Sequence, residues 1–570
     1  MSEQIEAPAR ATGNSRREDG TVLQSRSGGR ILVDALRVHG VDRVFCVPGE
    51  SYLDVLDALY DHPEIQIVVA KHEGAAANMA EADGKLTGRP GICFVTRGAG
   101  ATHGCIGVHT AFHDSTPMIL FVGQVTRGAR GREAFQEVEF RQMFSPLAKW
   151  VAEIETPGRI PEYLLRAFQV ATSGRPGPVV LVLPEDMLAE CCSVADTDCF
   201  RPVQAAPRDR DLEALGFELG RAERPLLILG GSGWTEEGRA GVAGFAESNA
   251  LTVVASFRRQ DLIDNEHPCY AGHLSLGLPP HLFNRVRSAD LLIALGARLG
   301  DVATAGYTML EPPRIPQRLV HIHADPHELG RVYQADLPIN AAPSLFAAQL
   351  SALAPVSDPP WRAWTEEARR EFLKFTALPE KRPPSGVDLA AVVSYLARRL
   401  PPDATICNGA GNYTIWVHRF FKYKRLRTQL APTSGAMGYG FPAAVAAKLR
   451  YPERTTVCFS VDGCFLMYPQ ELATAAQYGA AIIVLVVNNS MYGTIRMHQE
   501  RRFPGRVSGT DLLTPDFVAL ARSFGAYAEK VESTDAFADA FERAVGAHTP
   551  ALLELCVDRN QITPERRLTS

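Results

Sequence analysis

Short apolar runs alternate with helix-like segments along the whole chain, and this alternation is the feature that most constrains the fold. In the first part of the chain, the runs at 91–96, 117–123 and 178–183 are apolar almost throughout, whereas 74–86 has the spacing of a helix. Strands of this kind are buried on both faces, so they form parallel sheets that helices cover on both sides. The same pattern starts again twice further along the chain. The sequence therefore predicts an α/β fold with three consecutive doubly wound parallel-sheet domains.

Changes in composition mark the expected domain boundaries. We expect domains over residues 28–190, 208–355 and 386–560, with a linker at 356–385 that carries two Pro-Pro pairs. Residues 1–27 mix basic and acidic side chains and contain no apolar stretch, so they are predicted to form a flexible tail rather than a signal peptide.

Composition narrows the class of function. Of the 570 residues, 46% are apolar, and the formal net charge is −5 with no basic stripe, which argues against nucleic acid as a partner. The longest apolar run near the C-terminus spans 480–487, far less than the ~20 residues of a membrane helix. The 11 cysteines are scattered and form no C-x-x-C pair, which is typical of reduced thiols in the cytoplasm. We therefore expect a cytoplasmic protein whose partners are neither nucleic acid nor membrane.

Polar side chains follow two of the apolar strands in the third block. Asp462 and Gly463 come directly after the run 456–461, and Asn489 follows the run 482–488. The carboxyl ends of neighbouring parallel strands meet at one edge, where such folds bind ligands. Carboxylate and amide oxygens suit Mg²⁺, which often holds substrate or cofactor phosphates. The same residues also suit an ordinary Asp-Gly turn and a strand-ending loop.

Two further segments lie next to predicted strands. Glu73 follows the run 66–70 and opens a helix, a position where an acid is common because it complements the helix dipole. The glycines of segment 433–442 allow a tight backbone path beside a ligand, although the segment also suits a glycine-rich turn before the helix 443–449.

Together these motifs resemble those of the thiamine-diphosphate-dependent enzymes, and most closely those of the acetolactate synthase branch (the large, catalytic subunit). The stretch from Asp462 to Asn489 is similar to the GDG-x-NN signature, with Val461 in place of its first glycine. Segment 70–81 is similar to the segment that carries the family's glutamate, and 435–438 to its G-A-M-G segment. The resemblance covers nearly the whole chain after residue 28, in the order pyrimidine-binding, central and diphosphate-binding domain.

The resemblance implies a cofactor site of defined composition. Asp462, Asn489 and the carbonyl of Met491 would bind Mg²⁺, and Gly463 would let the backbone approach the diphosphate. Glu73 would hydrogen-bond the aminopyrimidine and promote removal of the thiazolium C2 proton.

The carbonyl of Gly435 would receive the aminopyrimidine amine, and Met437 would hold the two cofactor rings in their folded conformation. In this family two subunits contribute to each site, so a homodimer or homotetramer is implied.

The substrate pocket departs from the family pattern. Val302 replaces the arginine that binds the 2-oxo acid carboxylate, and His498 replaces a specificity-determining tryptophan. His498 is predicted either to act as an acid or base or to fill the pocket rim. Glu50 is predicted to move protons near the cofactor, with a helix N-cap as the alternative, for which Ser51 is the better candidate. Gln124 is predicted to face the substrate or to cap its strand.

These features predict a thiamine-diphosphate- and Mg²⁺-dependent decarboxylase and carboligase that acts on a small 2-oxo acid such as pyruvate, with an aldehyde or 2-oxo acid as acceptor. The alternatives are a C–C lyase on a 2-hydroxyacyl-CoA or acyloin substrate and a non-catalytic homologue. FAD, which this branch often carries, is possible but not favoured, because the dinucleotide fingerprint is not met and the neighbouring segment is altered.

Overall fold

The computed structural model of the protein describes residues 15–16 and 22–568. Most of the predicted tail, 1–27, therefore lies outside the described residues. Its last residues differ from the expectation: Ser25–Ser27 form a short strand that pairs antiparallel with Cys191–Ser193.

The strands, in chain order, are β1 (Ser15–Arg16), β2 (Val22–Leu23), β3 (Ser25–Ser27), β4 (Arg43–Cys46), β5 (Gln66–Val69), β6 (Gly91–Val95), β7 (Met118–Gln124), β8 (Trp150–Glu153), β9 (Pro178–Pro184), β10 (Cys191–Ser193), β11 (Pro225–Leu229), β12 (Thr252–Ala255), β13 (Tyr270–His273), β14 (Leu291–Leu295), β15 (Arg318–His323), β16 (Leu337–Asn340), β17 (Thr405–Asn408), β18 (Gln429–Leu430), β19 (Thr456–Val461), β20 (Ile483–Asn488), β21 (Tyr527–Val531) and β22 (Ala551–Cys556).

The α-helices are α1 (Gly28–Val38), α2 (Leu53–Tyr60), α3 (Glu73–Thr87), α4 (Ala99–Asp114), α5 (Phe140–Phe144), α6 (Ile160–Thr172), α7 (Glu185–Ala189), α8 (Asp209–Gly220), α9 (Glu236–Ser248), α10 (Pro280–Ser288), α11 (Pro343–Gln349), α12 (Arg362–Phe375), α13 (Leu389–Arg399), α14 (Thr414–Phe420), α15 (Gly440–Arg450), α16 (Asp462–Phe465), α17 (Glu471–Gln477), α18 (Gly493–Arg502), α19 (Phe517–Ser523) and α20 (Phe537–Gly546).

The described residues form three six-stranded sheets, and neighbouring strands in each are parallel. The strand orders are β5-β4-β6-β7-β9-β8, β13-β12-β11-β14-β15-β16 and β18-β17-β19-β20-β22-β21. The first and third sheets therefore share one topology, and the central sheet has the order typical of dinucleotide-binding folds. The expected α/β architecture of three parallel-sheet domains is confirmed.

Helices α3 and α15 join the first and third domains through small side chains. Alanines dominate the contact, and one apolar cluster runs from α3 across to α15. Because small residues let two helix backbones approach closely, this packing fixes the N-terminus of α3 relative to the third sheet. Glu73 and the glycine-rich segment before α15 are positioned by this contact.

The segment expected as a linker is partly helical. Helix α12 lies inside 356–385, and Trp361 and Phe372 are buried in the core of the central domain. The amphipathic spacing of α12, rather than the Pro-Pro pairs near the ends of the segment, determines the structure of this part of the chain. Among the described residues, no helix has the length and apolar character needed to cross a bilayer.

Candidate active site

Asp462 and Asn489 meet at the carboxyl edge of the third sheet. Strands β19 and β20 are paired with Val461 opposite Val487, so the residues that follow both strands leave the sheet at the same edge. Asp462 and Asn489 therefore lie together, as expected from the sequence.

Backbone N–H groups hold the Asp462 carboxylate in place. Oδ2 accepts hydrogen bonds from the N–H groups of Asn489 at 3.1 Å and Ser490 at 2.6 Å, and Oδ1 accepts one from Gly463 at 2.6 Å. The side chain is fully buried, and burial raises the pKa of Asp462 while these N–H groups oppose the shift. A cation at this edge would favour the ionised form of the carboxyl.

Three oxygen donors of different kinds are gathered here. Besides the Asp462 carboxylate, Asn489 Oδ1 accepts the N–H of Met491 at 3.2 Å, and the Met491 carbonyl accepts the N–H of Gly493 at 2.9 Å. Carboxylate and carbonyl oxygens have more than one lone pair, so each can also contact an ion. A set of hard oxygen donors fits Mg²⁺.

A cavity of about 380 Å³ opens beside this edge. Asn412, Val461 and Asn489 are among its lining residues. Basic and acidic side chains of the lining balance in number: Lys381, Arg382 and Arg567 against Asp388, Asp558 and Glu565. Sequence reasoning missed Asn412, which is buried just after the carboxyl end of β17. The strand-end pattern used for Asp462 would have identified it.

The N-terminus of α18 lies against the same residues. A Cβ atom on Gly493 would come within 2.9 Å of Asn412 Oδ1 and 3.1 Å of Asn489 Nδ2, so a larger residue would require these two amide side chains to shift. Helix N-termini attract anions through their free N–H groups, which suits a diphosphate in the neighbouring cavity.

The glycine-rich segment 433–438 lies next to the Asp462 turn. The N–H of Gly438 donates to Cys464 Sγ at 3.1 Å, two residues beyond Asp462. Gly435 is exposed and has φ of 71°, a backbone conformation that favours glycine. Met437 is half-buried against the core of the third domain. The structure thus brings the predicted Gly435 and Met437 to the side of the predicted metal ligands.

Glu73 is the first residue of α3 and is mostly buried, with 15% of its side chain exposed. Its Oε2 lies 2.9 Å from Nδ1 of His103 on α4. A Cβ atom on Gly100 would lie 3.4 Å from Glu73 Oε1, so the first turn of α4 leaves room for the carboxyl group. His103 was not identified from the sequence, because no local pattern places α4 beside α3.

The predicted substrate residues occupy three separate environments. The Glu50 side chain is 58% exposed, and its Oε1 lies 3.7 Å from Nη2 of Arg97. It caps neither of the two helices that begin nearby. Gln124 is fully buried; its Oε1 accepts the Val125 N–H and its Nε2 donates to a carbonyl, both at 2.9 Å. These bonds are those of a strand cap. His498 is exposed on α18. No described hydrogen bond or ion pair connects these three residues.

A second cavity, of about 580 Å³, lies where the three domains meet. Its lining includes Val302 and four arginines, Arg175, Arg259, Arg298 and Arg331. Because Glu328 pairs with both Arg175 and Arg331, at 3.1 Å and 3.0 Å, the lining retains a net positive charge.

Family models match each of the three domains. The descriptions are the N-terminal thiamine pyrophosphate (TPP) binding domain of thiamine pyrophosphate enzymes over residues 26–143, their central domain over 215–350 and their C-terminal TPP binding domain over 409–555. The fold and the site at the edge of β19 and β20 agree with this class. The chain belongs to the thiamine pyrophosphate enzymes, so it is a thiamine-diphosphate-dependent enzyme.

Within this class, the chain is similar to several acetolactate synthases. The acetolactate synthase large subunit of Parasynechococcus marenigrum is 31% identical over 557 residues, covering 95% of this chain and 89% of the relative. That of Corynebacterium glutamicum is 32% identical over 537 residues, covering 91% and 84%. The acetolactate synthase isozyme 2 large subunit of Escherichia coli is 28% identical over 545 residues, covering 93% and 96%. The chain is a member of the acetolactate synthase-like family, and the resemblance stated from its motifs is confirmed.

Proposed function

We propose that this enzyme decarboxylates a small 2-oxo acid such as pyruvate and transfers the resulting two-carbon unit to an aldehyde or a second 2-oxo acid, using thiamine diphosphate and Mg²⁺. The observation that carries the proposal is the meeting of Asp462, Asn489 and the Met491 carbonyl at one sheet edge beside the segment that holds Met437. The relatives named acetolactate synthase support a 2-oxo acid donor.

Mg²⁺ would be held by the three oxygen donors of this edge. The Asp462 carboxylate is already oriented by three backbone N–H groups, so binding the ion costs little rearrangement. The N-terminus of α18, together with Lys381 of the adjoining cavity, would receive the diphosphate.

Bound thiamine diphosphate supplies a nucleophilic thiazolium carbon, which adds to a carbonyl and accepts the electrons left by decarboxylation. The protein's part is to position and to move protons. Glu73, held at the start of α3 with a mostly buried carboxyl, would exchange a proton with the aminopyrimidine. Met437 would support the folded cofactor, and the Gly435 carbonyl would accept its amine.

Around the substrate, Glu50 and His498 are the proposed groups for proton transfer, and Gln124 is proposed as a wall of the pocket. Glu50 faces Arg97, so its charge is partly compensated. Gln124 would meet the substrate only by giving up one of its two hydrogen bonds.

We propose a homodimer, or a tetramer built from such dimers, located in the cytoplasm. Among the described residues, no hydrogen bond or ion pair joins Glu73 to Asp462 or Asn489. A site that needs both groups would be completed by the glutamate of a second copy.

The arginine-lined cavity where the three domains meet supports the alternative function, a C–C lyase on a 2-hydroxyacyl-CoA or acyloin substrate. Arg298 lines it, and no described hydrogen bond or ion pair engages its guanidinium, which suits a nucleotide phosphate. FAD remains unfavoured in this proposal. Gly230 packs on the turn after β14, where a Cβ atom would lie 2.8 Å from the Ala297 Cα, so this glycine serves a contact within the chain.

Product analysis by NMR tests the proposal. The purified protein with thiamine diphosphate and Mg²⁺ receives pyruvate alone, pyruvate with an aldehyde, or a 2-hydroxyacyl-CoA. We expect acetolactate or an acyloin from pyruvate and none of these products with EDTA. Cleavage of the thioester substrate, with pyruvate left unchanged, would replace the proposed function by the lyase alternative.

A further inference from the structure

His103 is the closest titratable partner of the Glu73 carboxyl, and the proposed function gives it no role. Its Nδ1 lies 2.9 Å from Glu73 Oε2, and about half of the His103 side chain, 51%, is exposed, against 15% for Glu73. The imidazole therefore stands between a mostly buried carboxyl group and solvent.

The two carboxyl oxygens of Glu73 face different surroundings. Oε2 contacts His103, whereas Oε1 lies beside Gly100, and within the described part of the chain no hydrogen bond reaches Oε1. One oxygen is thus engaged with the imidazole while the other remains available to a bound cofactor.

Neighbouring rings hold His103 in this orientation. The His72 ring stacks on it with centroids 4.5 Å apart, and His72 is in turn packed against Tyr468 at 5.2 Å. The N–H of Gly74 donates to His72 Nδ1 at 2.9 Å, which fixes the orientation of that ring. Burial lowers the pKa of His72, and the proximity of His103 lowers it further, while the Glu73 carboxylate opposes the shift.

We infer that His103 relays protons between the Glu73 carboxyl and solvent. Nε2 of the imidazole takes a proton from a hydronium ion or a buffer acid, which becomes water or the conjugate base. The proton on Nδ1 passes to Glu73 Oε2, which leaves glutamic acid and a neutral imidazole protonated on Nε2. The reverse sequence returns the proton to water, so no other reactant is consumed. This inference rests on the proposed role of Glu73 as the proton-exchanging group of the cofactor site.

A proton relay must take up and release a proton, whereas a hydrogen-bond donor need not. Two substitutions at His103 distinguish these two roles. In His103→Asn the amide can still donate to Oε2 but cannot take up and release a proton. In His103→Ala the space is open to solvent, so added imidazole can occupy it. His109→Ala is the matched control, because His109 lies on the same helix and packs on His113 instead.

The readout is the exchange of the thiazolium C2 proton of bound thiamine diphosphate for deuterium, followed by quenched-flow NMR without substrate. We expect both His103 substitutions to slow exchange about tenfold or more. Imidazole should restore most of the rate to His103→Ala only, and the affinity for thiamine diphosphate should change less than about twofold. His109→Ala should match the wild type.

A second readout needs no cofactor. The histidine Cε1–H signal of His103, assigned as the one lost in His103→Asn, should change its pH titration when Glu73 is replaced by Gln in the unloaded protein. An unchanged titration would contradict a shared proton.

A wild-type exchange rate in His103→Asn would overturn the relay, leaving His103 as a support for the carboxyl group. Glu73→Gln separates this failure from that of the proposed function. If Glu73→Gln exchanges at the wild-type rate, the proposed role of Glu73 is wrong; if it is slow while both His103 variants are fast, only the relay is wrong.

Discussion

At the residue scale, the charges buried between the first and third domains determine where the cofactor segments lie. Asp114, fully buried at the end of α4, pairs with Lys85 and accepts the N–H of Thr433 at 2.6 Å. Lys85 also lies 3.2 Å from Glu81. These contacts connect α3 and α4 to the start of the segment that carries Met437.

Asp114→Asn should destabilise the protein by roughly 1–3 kcal/mol, because the buried Lys85 ammonium then keeps only the Glu81 carboxylate as an ionic partner. Urea unfolding followed by tryptophan fluorescence measures the loss. Asp403→Asn, an exposed loop substitution, is the control and should change stability by less than about 0.5 kcal/mol.

The same pair makes this stability depend on pH. Burial opposes ionisation of Asp114, but Lys85, Arg259 and the Thr433 hydrogen bond outweigh burial and lower its pKa. A lowered pKa contributes stability above the unfolded-state value, and that contribution is lost as the pH falls through the lowered pKa. The difference in the free energy of unfolding between the wild type and Asp114→Asn should therefore shrink below about pH 4. A constant difference from neutral pH downwards would contradict the ion-pair account.

Single residues also mark how far the sequence could predict the site. Asp462 and Asn489 were predictable because each directly follows a continuous apolar strand and parallel pairing brings such ends together. His103 was not, because its meeting with Glu73 depends on the packing of α4 on α3. The bonds of Gln124 depend on a loop whose path the sequence does not specify.

At the element scale, α18 begins in close contact with the proposed metal edge. Its first residue, Gly493, approaches the side chains of Asn412 and Asn489, and both belong to the wall of the cavity proposed for the diphosphate. A Cβ atom at the start of this helix would therefore push these two side chains from their positions.

Gly493→Ala should weaken thiamine diphosphate binding about tenfold, because the added Cβ displaces the Asn412 and Asn489 side chains. Calorimetric titration measures the affinity. The control is Gly244→Ala inside α9, where a Cβ meets no atom within 4 Å. That variant should bind normally and be slightly more stable, since alanine favours a helix by about 0.5–1 kcal/mol over glycine. If both variants bound thiamine diphosphate with equal affinity, α18 would not be part of the binding site.

Elements were predictable where they are apolar and long. Strands such as β19 and β20 match their expected positions closely, whereas the two-residue β18 and the edge strand β21 were not foreseen. Edge strands carry polar residues and lack the continuous apolar run of a central strand. Helix α12 was missed because the two Pro-Pro pairs of segment 356–385 indicated a linker, although the burial of α12 follows an amphipathic pattern.

At the scale of the whole molecule, the proposed catalytic groups belong to different domains. Glu73 lies at the start of α3 in the first domain, and Asp462 lies at the edge of the third sheet. If two copies of the chain complete each site, one copy supplies Glu73 and the other supplies Asp462.

Mixing two inactive variants tests this arrangement. Glu73→Gln and Asp462→Ala should each abolish turnover, whereas coexpressing them should restore about a quarter of the wild-type activity, because half of the dimers are mixed and each mixed dimer has one intact site. Reassortment must be checked by differential tagging. Coexpressed variants that form mixed dimers and remain inactive would show that both residues serve one site within a single chain.

We propose that the carboxyl edge of the third sheet binds thiamine diphosphate through a metal ion held by Asp462. The most direct measurement is calorimetric titration of thiamine diphosphate with Mg²⁺ or with EDTA, on the wild type, Asp462→Ala and the control Asp403→Asn. We predict that Mg²⁺ increases the affinity of the wild type and of the control about 10–100-fold, the range typical of changes at a metal site, and that Asp462→Ala loses this dependence. Mg²⁺-dependent binding by Asp462→Ala equal to that of the wild type would contradict the account.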